Sequence, residues 1–424
     1  MELKKYKLAD IADFNKSSIS KSETFKEIIY LDTSSITENV VSGTVVMNTK
    51  EAPSRAQRKV TNNTIIYSTV RPRLKHHGIL SRPQNNFIVS TGFTTIDIKD
   101  LYKDKIDPRY LYLLLTQPTI TDYIGNIADT AVSAYPSINP SDLSSLCFMF
   151  PDYDIQKTIA DIWNNYDRKI ELNRAINQNL EAMAKQLYDY WFVQFDFPNE
   201  EGKPYKSSGG EMVWNEKLKR EIPEGWDSMP IGDYAPCKGG YAFKSSDFCK
   251  GKGVPVIKIG NIQDDYTLNM TDCQCIENFN NTQFFAKRFD LVIAMTGATI
   301  GKFAISQRNY WVNQRVGRFE LGATPLNQLG YLFNSLKQDY FREQIFQIAS
   351  GCAQPNISSE QIDSIHILKP KDSILLHFNG FCKSLLKQQS ENLLQIEELA
   401  KQRDELLPLL MNGQVSVNSD LSDD

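Results

Sequence analysis

Apolar residues recur at intervals of three and four in two long stretches of the chain, and this spacing predicts two long helices. The first stretch runs from Ile155 to Tyr190 and the second from Ile374 to Leu409, with no proline before Pro408. Because stripes of this length favour coiled-coil packing, we expect the two helices to bury each other; the alternative is a long exposed helix. The predicted coiled-coil core consists of Ile155, Ile159, Ile162, Asn173, Ile176, Leu180, Leu187, Ile374, Phe378, Phe381, Asn392, Leu399 and Leu406.

The two helical stretches belong to an internal repeat. The segment YPSINPSDLSSLCFMFPDYDIQ, from Tyr135, aligns without a gap with QPNISSEQIDSIHILKPKDSIL, from Gln354, at an offset of 219 residues. TIIYSTVRP, from Thr64, occupies the same place in its half as LVIAMTGAT, from Leu291. A period of this length indicates duplicated domains rather than a solenoid.

Asn173 and Asn392 are equivalent in this repeat, and each lies at the midpoint of its stripe. If the halves pack about a pseudo-two-fold axis, the helices run antiparallel and the two asparagines meet at the centre. A buried asparagine pair costs stability but fixes the register of the helices. We therefore expect an Asn173–Asn392 pair, with outward-facing asparagines as the alternative.

Outside the helices, short β-type runs such as TIIYSTV and DLVIAM are followed by helical segments. This mixture predicts an α/β (mixed α+β) fold with two globular domains, related by pseudo-two-fold symmetry and separated by two long antiparallel coiled-coil helices. The predicted divisions are residues 1–150 (first globular domain), 151–197 (central helix), 198–225 (extended connector, rich in Gly, Pro and Ser), 226–370 (second globular domain), 371–412 (distal helix) and 413–424 (an acidic tail expected to be disordered).

Composition is ordinary for a globular protein. Of 424 residues, 41% are hydrophobic and 23% are charged, which suits two or three domains. We expect a cytoplasmic protein, because the amino-terminal MELKKYKLADIADFNK lacks the apolar core of a signal peptide and no apolar run approaches the length of a membrane span. Seven scattered cysteines suit reduced thiols, and with only four histidines we expect no metal site.

Charge is unevenly distributed, although the net charge is only −4. Residues 50–85 hold eight Lys and Arg residues against the single acid Glu51, and residues 287–318 hold six against Asp290. Local basic patches on a mildly acidic chain indicate contact with a polyanion at two places. Solvated surface charge is the alternative interpretation of either patch alone.

Four short motifs suggest catalysis and fail on inspection. AMTGATIGKF, residues 294–303, has only three residues between Gly297 and Gly301 and no hydroxyl after Lys302, so it does not match a phosphate-binding loop. Asp107-Pro108-Arg109-Tyr110 resembles a methyltransferase box but fits the start of a helix equally well. Asp97-Ile98-Lys99 lacks the upstream partner of a nuclease site. The pair His76-His77 lacks a nearby carboxylate or nucleophile motif, so phosphate contact is the better interpretation.

Three segments resemble the specificity subunit of type I restriction–modification systems. The connector GKPYKSSGGEMVWNEKLKREIPEGW resembles the segment joining the halves of many members, and the preceding helix end KQLYDYWFVQFDF is also typical. MTGATIGK resembles a recurrent piece of the target-recognition domain of this family. The resemblance covers the whole chain, strongly at 136–226 and 355–412 and loosely elsewhere.

The resemblance implies that each globular domain is a target-recognition domain that reads one half of an asymmetric, bipartite site on double-stranded DNA. The helices would space the two domains and dock two modification subunits, which bind S-adenosylmethionine and methylate adenine at N6. Restriction subunits would add ATP- and magnesium-dependent translocation and cleavage. The chain itself would be non-catalytic and would bind no cofactor.

No family motif identifies the residues that contact DNA, so the candidates rest on local charge. Arg and Gln can contact bases with two hydrogen bonds, whereas Lys more often holds phosphate. The candidates are Arg55, Arg58, Lys59, Arg71, Arg73 and Lys75 in the first domain, and Lys238, Lys244, Lys302, Arg308, Gln314, Arg315 and Arg318 in the second. A coiled-coil scaffold with two peptide-binding domains is the alternative function. A self-sufficient methyltransferase or nuclease is disfavoured by the missing motifs.

Overall fold

The structure is a computed structural model that describes residues 3–20, 25–130, 135–249, 251–349 and 355–411. The chain divides into two compact units: Met1–Arg168 with Ala400–Asp424 forms unit 1, and Lys169–Leu399 forms unit 2. The predicted acidic tail, residues 413–424, lies outside the described residues. In the described part of the chain, no helix has the length and apolar character needed to cross a membrane.

Unit 1 is a mixed α/β domain. Its strands are β1 Lys4–Lys7, β2 Ala12–Phe14, β3 Glu27–Leu31, β4 Ile36–Thr37, β5 Val40–Val41, β6 Val45–Asn48, β7 Ala56–Lys59, β8 Ile65–Ser68, β9 His77–Ile79, β10 Phe87–Ser90, β11 Phe93–Ile98 and β12 Cys147–Phe150. Its helices are α1 Leu8–Ile11, α2 Pro108–Leu115, α3 Pro118–Asp129, α4 Pro140–Ser144 and the first half of α5 Tyr153–Tyr188.

Two four-stranded sheets form the centre of unit 1, with strand orders β6-β3-β10-β7 and β2-β11-β8-β9. Strands β3 and β10 are parallel, and all the other pairs in these sheets are antiparallel. All four residues of β8 are buried, as a continuous β-branched and aromatic run predicts for a central strand. Strand β1 pairs with β12, which brings the chain back to the start of the unit before α5 begins.

Unit 2 repeats this architecture. Its strands are β13 Met212–Asn215, β14 Arg220–Pro223, β15 Asp227–Pro230, β16 Cys237–Gly239, β17 Val254–Ile257, β18 Cys275–Ile276, β19 Phe285–Ala286, β20 Leu291–Ala294, β21 Phe303–Ile305, β22 Tyr310–Val312, β23 Val316–Phe319 and β24 His366–Lys369. Its helices are α6 Ile231–Tyr234, α7 Leu329–Leu336, α8 Asp339–Ala349, α9 Ser359–Asp363 and most of α10 Asp372–Met411.

The strand orders β18-β17-β22-β19 and β16-β23-β20-β21 match those of unit 1 strand for strand, including the parallel pair β17 and β22. Strand β20 is fully buried like β8, and β15 pairs with β24 as β1 pairs with β12. The internal repeat predicted from the sequence is therefore confirmed in the topology of the two units.

The connector predicted to be extended contains a β-hairpin instead. Strands β13 and β14 pair through all four residues of each strand. Their turn forms because the Asn215 side chain accepts hydrogen bonds from the main-chain amides of Lys217 and Leu218. Just outside the connector, the ring of Trp226 stacks on Phe197 with a centroid distance of 4.5 Å, which ties this segment to the core of unit 2.

Helices α5 and α10 pack side by side in each unit and run antiparallel. In unit 1, Ile159 and Ile162 of α5 lie against Leu406 and Leu410 of α10. In unit 2, the Asn173 amide donates to Gln395 Oε1 at 3.2 Å. The helix predicted for residues 151–197 ends at Tyr188 and continues as a wider π-type turn, Asp189–Val193.

The predicted Asn173–Asn392 pair is wrong. The buried Asn392 donates instead to Asn177 Oδ1 at 2.8 Å. The main chain of Asn177 also accepts from the Gln389 amide, which shifts the register by about one helical turn from the position that the repeat predicts.

Two further positions depart from the predicted core, because Ile176 and Phe381 are exposed. An α-helix drifts by about 20° per heptad from a strict 3.5-residue repeat, so a stripe counted by intervals includes residues that rotate out of the interface. Among the other predicted core residues, Ile159, Phe378 and Asn392 are buried, and the rest are half-buried.

Candidate nucleic-acid interface

Each unit carries one loop of the same construction after its central buried strand. In unit 1 this is the β8–β9 loop, residues 69–76, and in unit 2 it is the β20–β21 loop, residues 295–302. The amide of Arg71 donates to the Pro136 carbonyl at 2.8 Å, and the amide of Gly297 donates to the Pro355 carbonyl at 3.0 Å. Arg71 and Gly297 therefore occupy equivalent positions, each at the start of a single 3-10 turn.

The two loops share a backbone conformation but carry different side chains. Gly297 and Gly301 have φ values of 73° and 80°, in the left-handed region that favours glycine. Arg71 and Lys75 occupy the same two positions in unit 1, with φ values of 48° and 56°. Holding each of these two residues left-handed costs about 1–2 kcal/mol. Unit 1 thus presents cations at positions where the backbone alone would favour glycine.

This geometry also explains the stretch MTGATIGK. The loop leads from strand β20 into strand β21 and not into a helix, so its amides do not line a helix amino terminus. Lys302 Nζ lies 2.7 Å from Asp264 Oδ1, where a phosphate-binding lysine would be free for its ligand. The segment is a strand connection.

A second loop packs on this central loop in each unit. In unit 1 the tip of the β4–β5 hairpin lies on the β8–β9 loop, where the amide of Glu38 donates to the Lys75 carbonyl at 2.9 Å and Lys75 Nζ contacts Glu38 Oε1 at 2.6 Å. In unit 2 the connection between β17 and β18 supplies Asp264, the partner of Lys302. Both units therefore present a composite surface of two adjacent loops.

In unit 1 this surface contains an open cleft of about 380 Å³. The cleft is lined by Thr33, Ser34, Ser68, Val70, Arg71, Leu74, His76 and Tyr135. The guanidinium of Arg71 lies over the ring of Tyr135, 4.9 Å from its centroid. The cleft thus combines one cation, an exposed aromatic ring and small hydroxyl side chains, which suits a polar ligand with planar groups.

The two adjacent histidines have different environments. His76 lines the cleft, and its Nδ1 donates to the Ile36 carbonyl at 2.6 Å. His77 is buried, stacks on Tyr67 and contacts the Tyr112 hydroxyl at 3.0 Å. Burial lowers the pKa of His77 to about 4. His77 is therefore a neutral core residue, and only His76 faces a possible ligand.

Two of the predicted DNA contacts, Arg73 and Arg318, form ion pairs within their own units. Arg73 lies between the loop and α3, where it contacts Asp122, Asn126 and Asp129. A Cβ at position 125 would lie 2.7 Å from Arg73 Cζ, so a larger residue there would require the Arg73 side chain to shift.

Arg318 is the second of these residues. Its side chain is only 13% exposed and lies 3.3 Å from the buried Asp290 carboxylate and 3.2 Å from Glu320. The acidic partners of Arg73 on α3 and the Asp290 partner of Arg318 are distant in sequence, so local charge alone did not reveal these ion pairs.

The remaining candidates differ in their exposure to solvent. Arg55 pairs with Asp32 at 2.7 Å, and Arg308 pairs with Glu397 of α10 at 2.9 Å. Arg58 and Lys59 are half-buried on β7. The exposed candidates of unit 2 are Lys238, Lys244, Arg308, Gln314 and Arg315. The Arg315 carbonyl accepts from the Met295 amide, which places this residue beside the start of the β20–β21 loop.

The interface also includes residues that the sequence analysis missed. Thr33, Ser34 and Tyr135 line the cleft without carrying a charge. In unit 2, Tyr241 accepts a hydrogen bond from the Gln314 amide and packs with Phe279 and Phe284. A search for local basic residues does not detect either group.

Two other motifs resolve into structural features. Asp107 caps α2 by accepting from the Arg109 amide at 2.8 Å, and the Arg109 side chain pairs with Asp107 and Asp161. The Asp97 carboxylate accepts from the Thr64 hydroxyl, and Lys99 donates to the carbonyl of Ala9. In the described ranges, no group of three or more His, Cys, Asp or Glu residues is placed to hold a metal ion.

Two mixed α/β units of one topology, each presenting an equivalent loop pair, define a duplicated recognition protein. The family model for the type I restriction modification DNA specificity domain matches residues 1–182 and 223–389. The chain belongs to this family, and it is a specificity subunit of a type I restriction–modification system.

Known relatives cover almost the whole chain. It is 26% identical to the type I restriction enzyme HindI specificity subunit of Haemophilus influenzae, over 97% of this chain and 99% of the relative. It is 23% identical to the MjaIX specificity subunit of Methanocaldococcus jannaschii, over 80% and 76% of the two chains. The crystal structure of the type I restriction-modification system S subunit from M. genitalium shares the fold, with a TM-score of 0.58, 16% identity and coverage of 97% and 96%.

Proposed function

We propose that this chain reads a bipartite, asymmetric DNA site, with each unit contacting one half-site in the major groove. The observation that carries the proposal is the equivalence of Arg71 and Gly297 in two loops of the same construction. A common backbone with different side chains would place two different sets of hydrogen-bonding groups against DNA. Two unlike half-sites follow from this difference.

The exposed polar residues beside the loops supply the contacts in this proposal. Arg71 in unit 1 and Gln314 and Arg315 in unit 2 would contact base edges, because both side-chain types form paired hydrogen bonds with purines. Lys75, Lys238 and Lys244 would hold phosphates and set the position of each unit on the duplex.

Helices α5 and α10 would dock two modification subunits. Their exposed apolar residues support this role: Leu172, Ile176 and Met183 on α5, and Leu376 and Phe381 on α10. Exposed apolar side chains repeated along a helix favour a protein partner. The modification subunits would bind S-adenosylmethionine and methylate adenine, and restriction subunits would bring ATP and magnesium. This chain would contribute DNA recognition without catalysis.

Footprinting of the complete specificity–modification complex tests the proposal. We expect two protected patches on one face of the duplex, separated by an unprotected spacer. Exchange of residues 226–370 for the matching segment of a relative should then change one half-site in the methylated sequence and leave the other intact. A single protected patch, or loss of both half-sites after the exchange, would contradict the proposal. Absence of any protection would favour the scaffold function.

A further inference from the structure

Residues 40–46 of unit 1, VVSGTVV, form an exposed segment of unusual composition. All seven residues are exposed, and four of them are valines, with exposed fractions of 46% for Val40, 44% for Val41, 55% for Val45 and 63% for Val46. Exposed apolar residues are ordinary when they are scattered, but a contiguous group marks a binding surface. We call this segment the valine loop.

The valine loop is held by the strands on either side of it. Val40 and Val41 lie on β5, which pairs with β4 among the described strands. Val45 and Val46 lie on β6, one of the two edge strands of its sheet. Val45 pairs with Tyr30 and Val46 with Ile29 across the β3–β6 ladder. The loop therefore projects from a fixed base, and its valines are presented to the solvent and not to the core.

The valine loop adjoins the composite surface of unit 1. The turn of the β4–β5 hairpin, which precedes the valine loop, is bonded to strand β9. The Asn39 amide donates to the His77 carbonyl and Asn39 Oδ1 accepts from the Ile79 amide, both at 2.9 Å. Gly78 permits this approach, since a Cβ there would lie 2.5 Å from Ile36 Cδ1. The Ser42 amide donates to the Ser35 carbonyl, next to the cleft residues Thr33 and Ser34.

Unit 2 differs at the matching position. Its strand β18, which corresponds to β6, consists of the buried residues Cys275 and Ile276. The connection that precedes β18 carries Asp264, Asp265 and Asp272. The exposed valines are therefore a feature of unit 1 that the matching strand of unit 2 does not share. A feature that varies between two copies of one domain fits a role in distinguishing their ligands.

We propose that the valine loop contacts thymine methyl groups in the half-site read by unit 1. This inference rests on the proposed function, and it adds the base type that this surface selects. The C5-methyl of thymine is the apolar group that a base pair presents in the major groove, and apolar side chains recognise it by contact. The loop is continuous with a surface that carries Arg71 and Lys75, which would hold the adjacent DNA backbone and base edges.

The expected change in affinity follows from the apolar area that the contact removes from water. Burial of one methyl group is worth about a four-fold change in affinity at the usual transfer free energy per carbon. A loop with four valines therefore accounts for discrimination at one or two thymines, by a factor of roughly four for each methyl that is contacted.

The test removes the methyl group alone. The recognised sequence is first determined by sequencing DNA that the specificity–modification complex has methylated. The exchange of residues 226–370 alters the half-site of unit 2, so the half-site that stays unchanged is that of unit 1. Deoxyuridine then replaces each thymidine in turn, and binding by the complex is measured. We expect a loss of about four-fold for at least one thymidine of the unit 1 half-site.

Variants connect this loss to the valine loop. Val45→Ser with Val46→Ser removes both methyl groups of each side chain, so that the apolar contact with the thymine methyl is lost. We expect this variant to bind thymidine DNA about as weakly as the native chain binds deoxyuridine DNA, and to show no further loss with deoxyuridine. Val213→Ser, at an exposed valine of β13, is the matched control and should behave as the native chain.

Three results would overturn the proposal. The first is a unit 1 half-site without thymine, or with thymidines whose replacement leaves affinity unchanged. The second is a deoxyuridine effect of the same size in the Val45→Ser, Val46→Ser variant as in the native chain. The third is loss of modification subunits from this variant with its response to deoxyuridine intact, which would make the loop a protein-binding surface. Each leaves the proposed function standing if the exchange still changes one half-site.

Discussion

Asn392 donates a hydrogen bond to Asn177 Oδ1 at 2.8 Å, one helical turn away from the residue that the internal repeat places opposite it. Asn392 is 3% exposed, so its amide depends on this partner. The side-chain amide of Asn177 also donates to the Gln389 carbonyl, and the side-chain amide of Gln389 donates to the Asn177 carbonyl, which gives Asn177 three contacts across the helix pair. These contacts fix the register of α5 against α10 within unit 2.

The first prediction compares the two asparagines of α5. Asn177→Ala leaves the buried Asn392 amide without its partner, and we expect a loss of about 1–3 kcal/mol in the free energy of unfolding. Asn173→Ala removes only a half-buried contact with Gln395 and should cost about 0.5 kcal/mol. Urea denaturation measures both values. A larger cost for Asn173→Ala would contradict the observed register.

The second prediction separates two arginines that local charge treats alike. Arg318→Met leaves the buried Asp290 carboxylate without its cation, and we expect a loss of about 3–5 kcal/mol of stability. Arg315→Met should leave the melting temperature unchanged and weaken DNA binding, because Arg315 is exposed beside the β20–β21 loop. Calorimetry and salt-dependent binding distinguish the two effects. Equal melting temperatures would show that the Arg318–Asp290 pair is not structural.

The third prediction concerns the left-handed positions of the β20–β21 loop. Gly301→Ala places a Cβ at a φ of 80° and 3.2 Å from Ile345 Cγ2. We expect it to cost about 1–2 kcal/mol of stability. Gly260→Ala is the control, since nothing lies within 4 Å of a Cβ at that position and its φ is not positive. Thermal denaturation of the two variants side by side provides the comparison; a similar small effect of both would remove the argument for a left-handed backbone at position 301.

The fourth prediction is a pH dependence that arises from His77. Burial lowers the pKa of His77 from its ordinary value of 6.5 to about 4 in the folded chain, so the unfolded chain takes up a proton first as the pH falls. The stability associated with neutral His77 is full above about pH 6.5 and is lost as the pH falls towards 4. His77→Gln cannot titrate and should flatten the fall in melting temperature between pH 7 and pH 5. An unchanged pH profile in this variant would exclude His77 as the cause.

Much of the fold could be predicted from sequence because its signals are local or periodic. The 219-residue offset identified the duplication, and the three-four spacing identified α5 and α10. The register of the helices could not be predicted, because the repeat shows that Asn173 and Asn392 are equivalent in sequence and does not show which residues are in contact. The choice of Asn177 as the partner depends on packing across two segments that are far apart in the chain.

The candidate interface was only partly predictable for the same reason. Local charge identified Arg71 and Lys75, which the structure places in the β8–β9 loop. It also selected Arg73, whose acidic partners lie on α3 and become neighbours only in the folded unit. The valine loop carries no charge, and its sequence predicts an ordinary pair of strands. Only the exposure of its valines in the folded structure identifies it as a candidate binding surface.

Long-read sequencing of methylated sites in two single variants tests the central claim most directly. Arg71→Ala alters the β8–β9 loop of unit 1, and Arg315→Ala alters the surface beside the β20–β21 loop of unit 2. Each variant complex should methylate a sequence that is relaxed at one or two positions of a single half-site, with the two variants affecting opposite half-sites and the spacer unchanged. Relaxation of the same half-site by both variants, or an unaltered sequence in both, would contradict the claim that these equivalent loops read the DNA.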